Sequence, residues 1–324
     1  MDFISKLTKT EAIAFLVLGI YGCSDDDDAN VVIVESNTIA DFVSSNDDYS
    51  SLAAALDVAG LTATLDGSAN YTVFAPNNAA FTAFLEDSPY NSLEEVPVDV
   101  LTQILLNHVQ MGEIRAQDLE TGYITSMATG PASTENLSMY INVGDNVMIN
   151  GVATVTTADV EVDNGIIHAV DQVIGLPDIT TFAIADPTFD ILVAALTRED
   201  TYTFVSILQS TGDASPFTVF APTNDAFVAL LDELDVNSLD DIPADLLATV
   251  LSYHVVSGAN VRAEDLTDGM MVTTFETGEI TVNVGDNVTI TDERERTSTV
   301  VLPNVQATNG VIHAIDQVLR PASE

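Results

Sequence analysis

The chain has 324 residues, 50 of them acidic against 8 lysines and arginines, which gives a formal net charge of -42 at pH 7. A surface of that sign repels nucleic acid and anionic lipid headgroups, so neither is expected as a partner. A single cysteine excludes an internal disulfide, and a hydrophobic share of 47% supplies enough apolar material for sizeable cores.

In chain order, Lys6 and Lys9 precede an apolar run from Ala12 to Tyr21. The run is too short to cross a bilayer but suits the apolar region of a secretory signal, so residues 1–22 are assigned to a signal peptide of the lipoprotein type. It ends Ile20-Tyr21-Gly22-Cys23, which resembles a bacterial lipobox and makes Cys23 the expected lipid attachment site. The plainer alternative is a single inert thiol. Residues 23–35 form an acidic tether in which Ser24 is followed by Asp25, Asp26, Asp27 and Asp28. Such a run reads as a solvated spacer, and it also resembles the export signal of surface lipoproteins of the Bacteroidetes group. That likeness implies a secreted chain, anchored by lipid to the outer membrane and exposed at the cell surface.

Beyond the tether the chain repeats itself. Thr72 to Phe81 recurs as Thr218 to Phe227, and later blocks recur in the same order: His108 answers to His254, the run starting at Asn142 to that starting at Asn283, and Asn164 to Val173 answers to Asn309 to Val318. A spacing of about 145 residues is too long for a solenoid unit and implies two self-sufficient domains. In the first block Thr-Val-Phe alternates like a half-buried strand that the following proline stops. The asparagine after it, Asn78 or Asn224, is expected to cap a helix carrying Phe227, Leu230 and Leu231, or Phe81, Phe84 and Leu85, at helical spacing. Earlier in each copy Leu52, Ala55 and Leu56, mirrored by Leu192, Ala195 and Leu196, predict a further helix, with a few extra residues around 197–203 in the second. Helical periodicity returns at Val100 to Val109 and Leu246 to Val255, and Tyr140 to Val162 and Thr281 to Val305 alternate as strands. In the last block Asn-Gly predicts a tight turn with positive φ before a buried strand.

The two blocks, with Tyr253-His254 between them in the second copy and Asn107-His108 in the first, resemble the fasciclin-like (FAS1) domain over residues 36–177 and 179–321. The resemblance implies an α+β fold, two tandem FAS1-like domains each a compact β-sandwich wedge with packed helices, held close by a junction of only Pro177 and Asp178. It also implies an extracellular, non-catalytic adhesion protein whose partners are extracellular matrix, a cell-surface protein or a glycan. In some members an Asp-Ile pair before the Asn-Gly turn contributes to receptor binding. That place holds Asp159 and Val160 in the first copy and Asn304 and Val305 in the second, which are the candidate ligand-binding residues. The plainer reading is an aliphatic core residue beside a turn former.

His108, His168, His254 and His313 occupy matching places in the two copies, which suggests either a role as metal ligands or a catalytic base, or else buried imidazoles that each donate one hydrogen bond and accept another. The second, structural role is the one expected. Scattered carboxylates could bridge calcium or magnesium, but they follow no ligand spacing, so no metal and no cofactor is expected. No Gly-x-Ser-x-Gly, His-Glu-x-x-His or phosphate loop is present, and no lysine follows Lys9, so no enzymatic activity is expected. The rival class is a carbohydrate-binding or envelope accessory lipoprotein, which would want exposed aromatic rings; aromatics make up 6% of the chain, with no tryptophan.

With the lysines confined to the signal segment, six arginines face nearly all of the acidic charge. At about 1 M salt the Debye length falls to about 3 Å and this self-repulsion is screened, a composition suited to salty water. Melting temperature should therefore rise from low to molar salt in a series of thermal melts; a flat or falling series would contradict this.

Overall fold

The computed structural model describes residues 36–322; the signal segment 1–22, Cys23 and the tether 23–35 lie outside the described residues. The Val, Ile and Thr runs form strands. The first repeat holds β1 (Tyr71–Pro76), β2 (Val109–Met111), β3 (Gly122–Gly130), β4 (Ser133–Val143), β5 (Val147–Ile149), β6 (Ala153–Val162) and β7 (Gly165–Val170), hydrogen-bonded in the order β2-β1-β7-β6-β5-β4-β3. The second holds β8 (Phe217–Pro222), β9 (Val255–Ser257), β10 (Met270–Thr273), β11 (Glu279–Val284), β12 (Val288–Thr291), β13 (Thr297–Ala307) and β14 (Gly310–Ile315). Their order, β10-β11-β12-β13-β14-β8-β9, is the same topology read from the other edge.

In each repeat one pair is parallel, β1 with β7 and β8 with β14; the other neighbours are antiparallel. β6 pairs with β5 at Ala153 and Thr154 and with β7 from Val155 onward, with register shifts on the way. Bulges of this kind bend a sheet. Here the sheet folds over until its edge strands β2 and β3 approach each other.

The folded sheet makes two cores per repeat. On β1, Tyr71, Val73 and Ala75 face the helices and pack with Leu52, Leu56, Phe81 and Leu101, while Phe74 points the other way, between the two halves of the sheet, with Met139, Ile141 and Ile149. The second repeat repeats this: Phe217, Val219 and Ala221 face Leu192, Phe227 and Leu251, and Phe220 meets Ile280, Val282 and Ile290. Fully buried rings such as Phe74 and Phe227 each hold about 3–5 kcal/mol against truncation to alanine.

Three local expectations are corrected. First, Asn78 and Asn224 do not cap the helices that follow. The residue before each does so, Asn77 accepting from the Ala80 N–H and Thr223 from the Ala226 N–H, and the helices run Asn78–Asp87 and Asn224–Leu234. Asn78 instead accepts from the Ser51 N–H and donates to the Asp47 carbonyl, and Asn224 does the same with Ile191 and Pro187, so the asparagine caps the neighbouring helix. Second, the positive φ expected at Asn-Gly is seen at Gly165 (151°) but not at Gly310, and both glycines answer to close approach: a Cβ on Gly165 would lie 2.0 Å from the Tyr71 carbonyl oxygen, and on Gly310 2.2 Å from that of Phe217. Third, the helices before His108 and His254 run Val98–Leu106 and Ala244–Tyr253, and Val109 and Val255 already belong to β2 and β9.

The two repeats share a seam, so they are less independent than a repeat of self-sufficient domains implies. Tyr140 on β4 belongs to the second repeat's helical core, Tyr123 on β3 meets Phe182 edge-on at 5.5 Å, and the Tyr123 hydroxyl donates to Asp186 at 3.0 Å. Burial first, then the Asp186 carboxylate, raises the Tyr123 phenol far above its ordinary range and pushes Tyr140 up to about 12, so both stay protonated donors. Backbone contacts complete the seam: Gln306 N–H donates to Ser138 Oγ at 2.9 Å and Ala132 N–H to the Thr308 carbonyl at 3.2 Å. At the junction Thr308 donates to the Pro177 carbonyl from both its backbone and its hydroxyl.

His108 and His254 tie helix ends to the chain that follows the last strand. Nδ1 donates to the carbonyl of Ile104 or Val250, which the helix leaves unpaired, and Nε2 accepts from the N–H of Ile174 or Leu319. Both rings are neutral because burial holds their pKa near about 4, against 6.5 for a free imidazole. The unfolded chain takes up a proton below pH 6.5 and the folded chain does not until about 4, so this stabilisation is complete above 6.5 and is lost as pH falls through that window. Each ring accounts for about 3 kcal/mol at most. His108→Gln should cost stability at pH 7 yet show a shallower loss than the wild type between pH 6.5 and 4, measured by urea unfolding across pH; parallel curves would contradict it.

Candidate functional site

Asp159 and Asn304 occupy the same place, the bulge residue of β6 and of β13, where the register shifts and the backbone turns left-handed (φ 58° and 63°). Asp and Asn are the non-glycine residues that tolerate this best. Each reaches across to a loop: Asp159 Oδ1 accepts from the Ala116 N–H and Asn304 Oδ1 from the Ala263 N–H, both at 2.8 Å. Ala116 and Ala263 open single 3-10 turns, whose first N–H groups lack a partner inside the turn.

The histidines of the last strand close the same network. His168 Nδ1 accepts from the Asp159 N–H and its Nε2 donates to the Ile114 carbonyl at 2.9 Å; His313 does the same with Asn304 and Val261. Each ring stacks on the phenylalanine beside it, Phe74 or Phe220. Burial lowers the His313 pKa, so that ring is neutral. A further member went unrecognised in the sequence: Thr72 and Thr218 of the repeated block accept from the N–H of Ile114 and Val261 and donate to the carbonyls of Gly112 and Ala259. Threonine, histidine and the bulge residue thus hold one loop from three sides. With both nitrogens of all four imidazoles engaged, none is available as a base or ligand without breaking the fold. Among the described residues no three His, Cys, Asp or Glu come together as a set that could hold a metal ion.

The two copies present different surfaces. Asp159 is exposed and Val160 half-buried, with the Arg115 to Glu161 ion pair at 2.5 Å close by. Glu161 first, and Asp159 and Glu113 more weakly, raise the Arg115 pKa. Asn304 is half-buried and its amide donates to Glu264, itself paired with Arg262. Val305 is 2% exposed and lies in the core that Tyr140 enters from the first repeat, one residue before the Gln306 contact to Ser138. A partner can reach Asp159 and part of Val160, while Val305 is sealed at the seam.

Comparison with known proteins places this geometry. The family model described as Fasciclin domain matches residues 47–177 and 187–321. Protein sll1483 of Synechocystis is 37% identical over 137 residues, 42% of this chain and 72% of its own, and the uncharacterized Synechocystis protein sll1735 is 36% identical over 144 residues, 44% and 98% of the respective chains. Human periostin is 28% identical over 297 residues, 89% of this chain, which spans 31% of periostin's length. Among solved structures, a FAS1 domain pair from the insect cell adhesion molecule Fasciclin I aligns over 82% of this chain and 92% of its own, with a TM-score of 0.48 and 22% identity. Two matched segments that fill most of the chain, folded alike and joined by a seam, establish that this protein belongs to the fasciclin domain family and carries the domain in two tandem copies.

Proposed function

We propose that the chain is a non-catalytic, extracellular binding protein of the adhesion type, held to the cell envelope by a lipid on Cys23. The observation that carries this reading is the tandem fasciclin domain pair. The bulge supports it: Asp159 stands exposed on a strand bulge bonded to the neighbouring loop, and an ordered segment carrying an exposed charge loses little entropy on binding. The partner is a matrix or cell-surface protein that offers a cation or an N–H donor to Asp159. The seam fixes the two repeats in one geometry, so two weak sites on one chain would gain avidity from effective concentration. A carbohydrate-binding reading is less well supported, because among the described residues Phe275 alone of the Phe and Tyr rings is more than a third exposed.

Asp159→Asn in the full chain separates charge from fold, since the amide oxygen can still accept from Ala116 as Asn304 does from Ala263. Retention on a matrix-protein-coated surface should fall by about tenfold, the scale of one charge-assisted hydrogen bond, with the melting temperature unchanged. Asn304→Ala should change retention less. Equal retention by wild type and Asp159→Asn would remove Asp159 from the interface.

The anchor is tested separately. A clickable fatty acid fed to cells should label the protein, and Cys23→Ser should abolish the label and release the chain from the membrane fraction. A label that survives the substitution would contradict lipidation at Cys23.

A further inference from the structure

The duplication supplies an internal comparison at a place unrelated to the bulge. Between the first helices and the parallel strands of each repeat lies an apolar cleft. In the first repeat it is almost closed, about 10 Å³, with Val43, Leu52 and Leu56 among its lining residues. In the second it opens to about 110 Å³, lined at the corresponding places by Ala183, Leu192 and Leu196. Two differences in sequence account for the space. Ala183 stands where the first repeat has Val43, on the helices Ile179–Ala185 and Ile39–Ser45, so two methyl groups are missing from the wall. The next helix is 7 residues long, Asp190–Leu196, instead of 10, Ser50–Ala59, because the extra residues around 197–203 end it early. The cavity reaches the surface at Ile184, which is 67% exposed.

The polar groups on its wall are already satisfied. His254 is held on both nitrogens; Thr180 Oγ1 donates to Asp178 and accepts from Gln209; Thr197 Oγ1 donates to the Val193 carbonyl. A guest therefore finds no hydrogen-bonding partner, and water finds none either. Apolar cavities of about 150 Å³ stay dry and bind benzene-sized guests, so a cavity of this order takes a short hydrocarbon segment. Arg198, next in the chain to Thr197 on the wall, is committed to the carbonyls of Leu239 and Ile242 and to Glu199, and the chain as a whole is strongly acidic. An anionic headgroup at the mouth would be repelled.

We propose that the second repeat is a binding site for the end of one neutral hydrocarbon chain, such as the tail of an alcohol or a neutral lipid, and that the first repeat, whose corresponding cleft is filled, lacks the site. The probe is n-octanol, added to the full chain with its Ile, Leu and Val methyls labelled for NMR, and octanoate is the anionic control. Octanol should shift the Leu192, Leu196 and Val205 methyls saturably and leave Leu52 and Leu56 unmoved, and octanoate should bind more weakly. Ala183→Val should weaken octanol binding about tenfold, the scale of two buried methyl groups, and Val43→Ala should make Leu52 and Leu56 respond. Absence of saturable shifts, equal shifts in both repeats, or undiminished binding to Ala183→Val would each overturn the proposal. The comparison of the two repeats within the wild-type chain decides the matter even if a variant fails to fold.

Discussion

The structure depends on the parallel pairing of the first and last strands of each repeat. β1 meets β7, and β8 meets β14, across almost a hundred residues of intervening chain, with Tyr71 opposite Gly165 and Phe217 opposite Gly310. The contact is so close that only a glycine fits. Closing a loop of that length costs conformational entropy before anything repays it. The cores and the strand pairing repay it, and the asparagine before each glycine pins the closure. Asn164 donates to the carbonyls of Leu65 and Gly67 and accepts from the Ile39 N–H, and Asn309 does the same with Leu208 and Ile179, so one buried side chain joins the first helix, the loop before the first strand and the last turn. The first helix and the approach to the first strand are positioned by that junction.

Much of this was legible in the sequence because the repeat showed it twice. The strand, turn and helix of the Thr-Val-Phe-Ala-Pro block, the helices carrying Leu52 and Leu192, and the long alternating strands all follow from short-range periodicity. What escaped was set by contacts distant in sequence. The roles of Asn78 and Asn224 lie in a helix some thirty residues earlier, and the glycine of Asn-Gly looks like a turn residue until Tyr71 or Phe217 is placed against it. The strand β3, with few aliphatic residues among Thr, Ser and Gly, carries a weak alternation that the sequence reading passed over.

The candidate site divides along the same line. A resemblance could point to positions 159 and 304, but only the fold reveals that both are bulge residues gripping a loop, and that one valine is half open while the other is sealed. That asymmetry comes from Tyr123, Tyr140 and Asp186, three residues with no shared motif, which the seam alone makes partners. The arginines follow a similar logic. Every one of the six in the described residues holds a hydrogen bond or ion pair within the fold, Arg296 and Arg320 both meeting Glu233. The arginines serve the architecture, and apart from a few such as Asp186 and Asp292 the carboxylates of the described residues face outward.

The clasp at each repeat's ends has a mechanical meaning. Asn37 and Asp163 exchange two hydrogen bonds, Ile39 leans on Asn164, and in the second repeat Pro177 and Ile179 are gripped by Thr308 and Asn309. The chain therefore enters each repeat beside the turn that leads into its last strand. Tension applied along the chain would pass through that handful of bonds into the last strand, which sits in the middle of the sheet, with the residues between the two sides of the clasp off the direct path. Each repeat is thus a loop of well over a hundred residues closed by one buckle, with the last strand running on from the buckle as its strap.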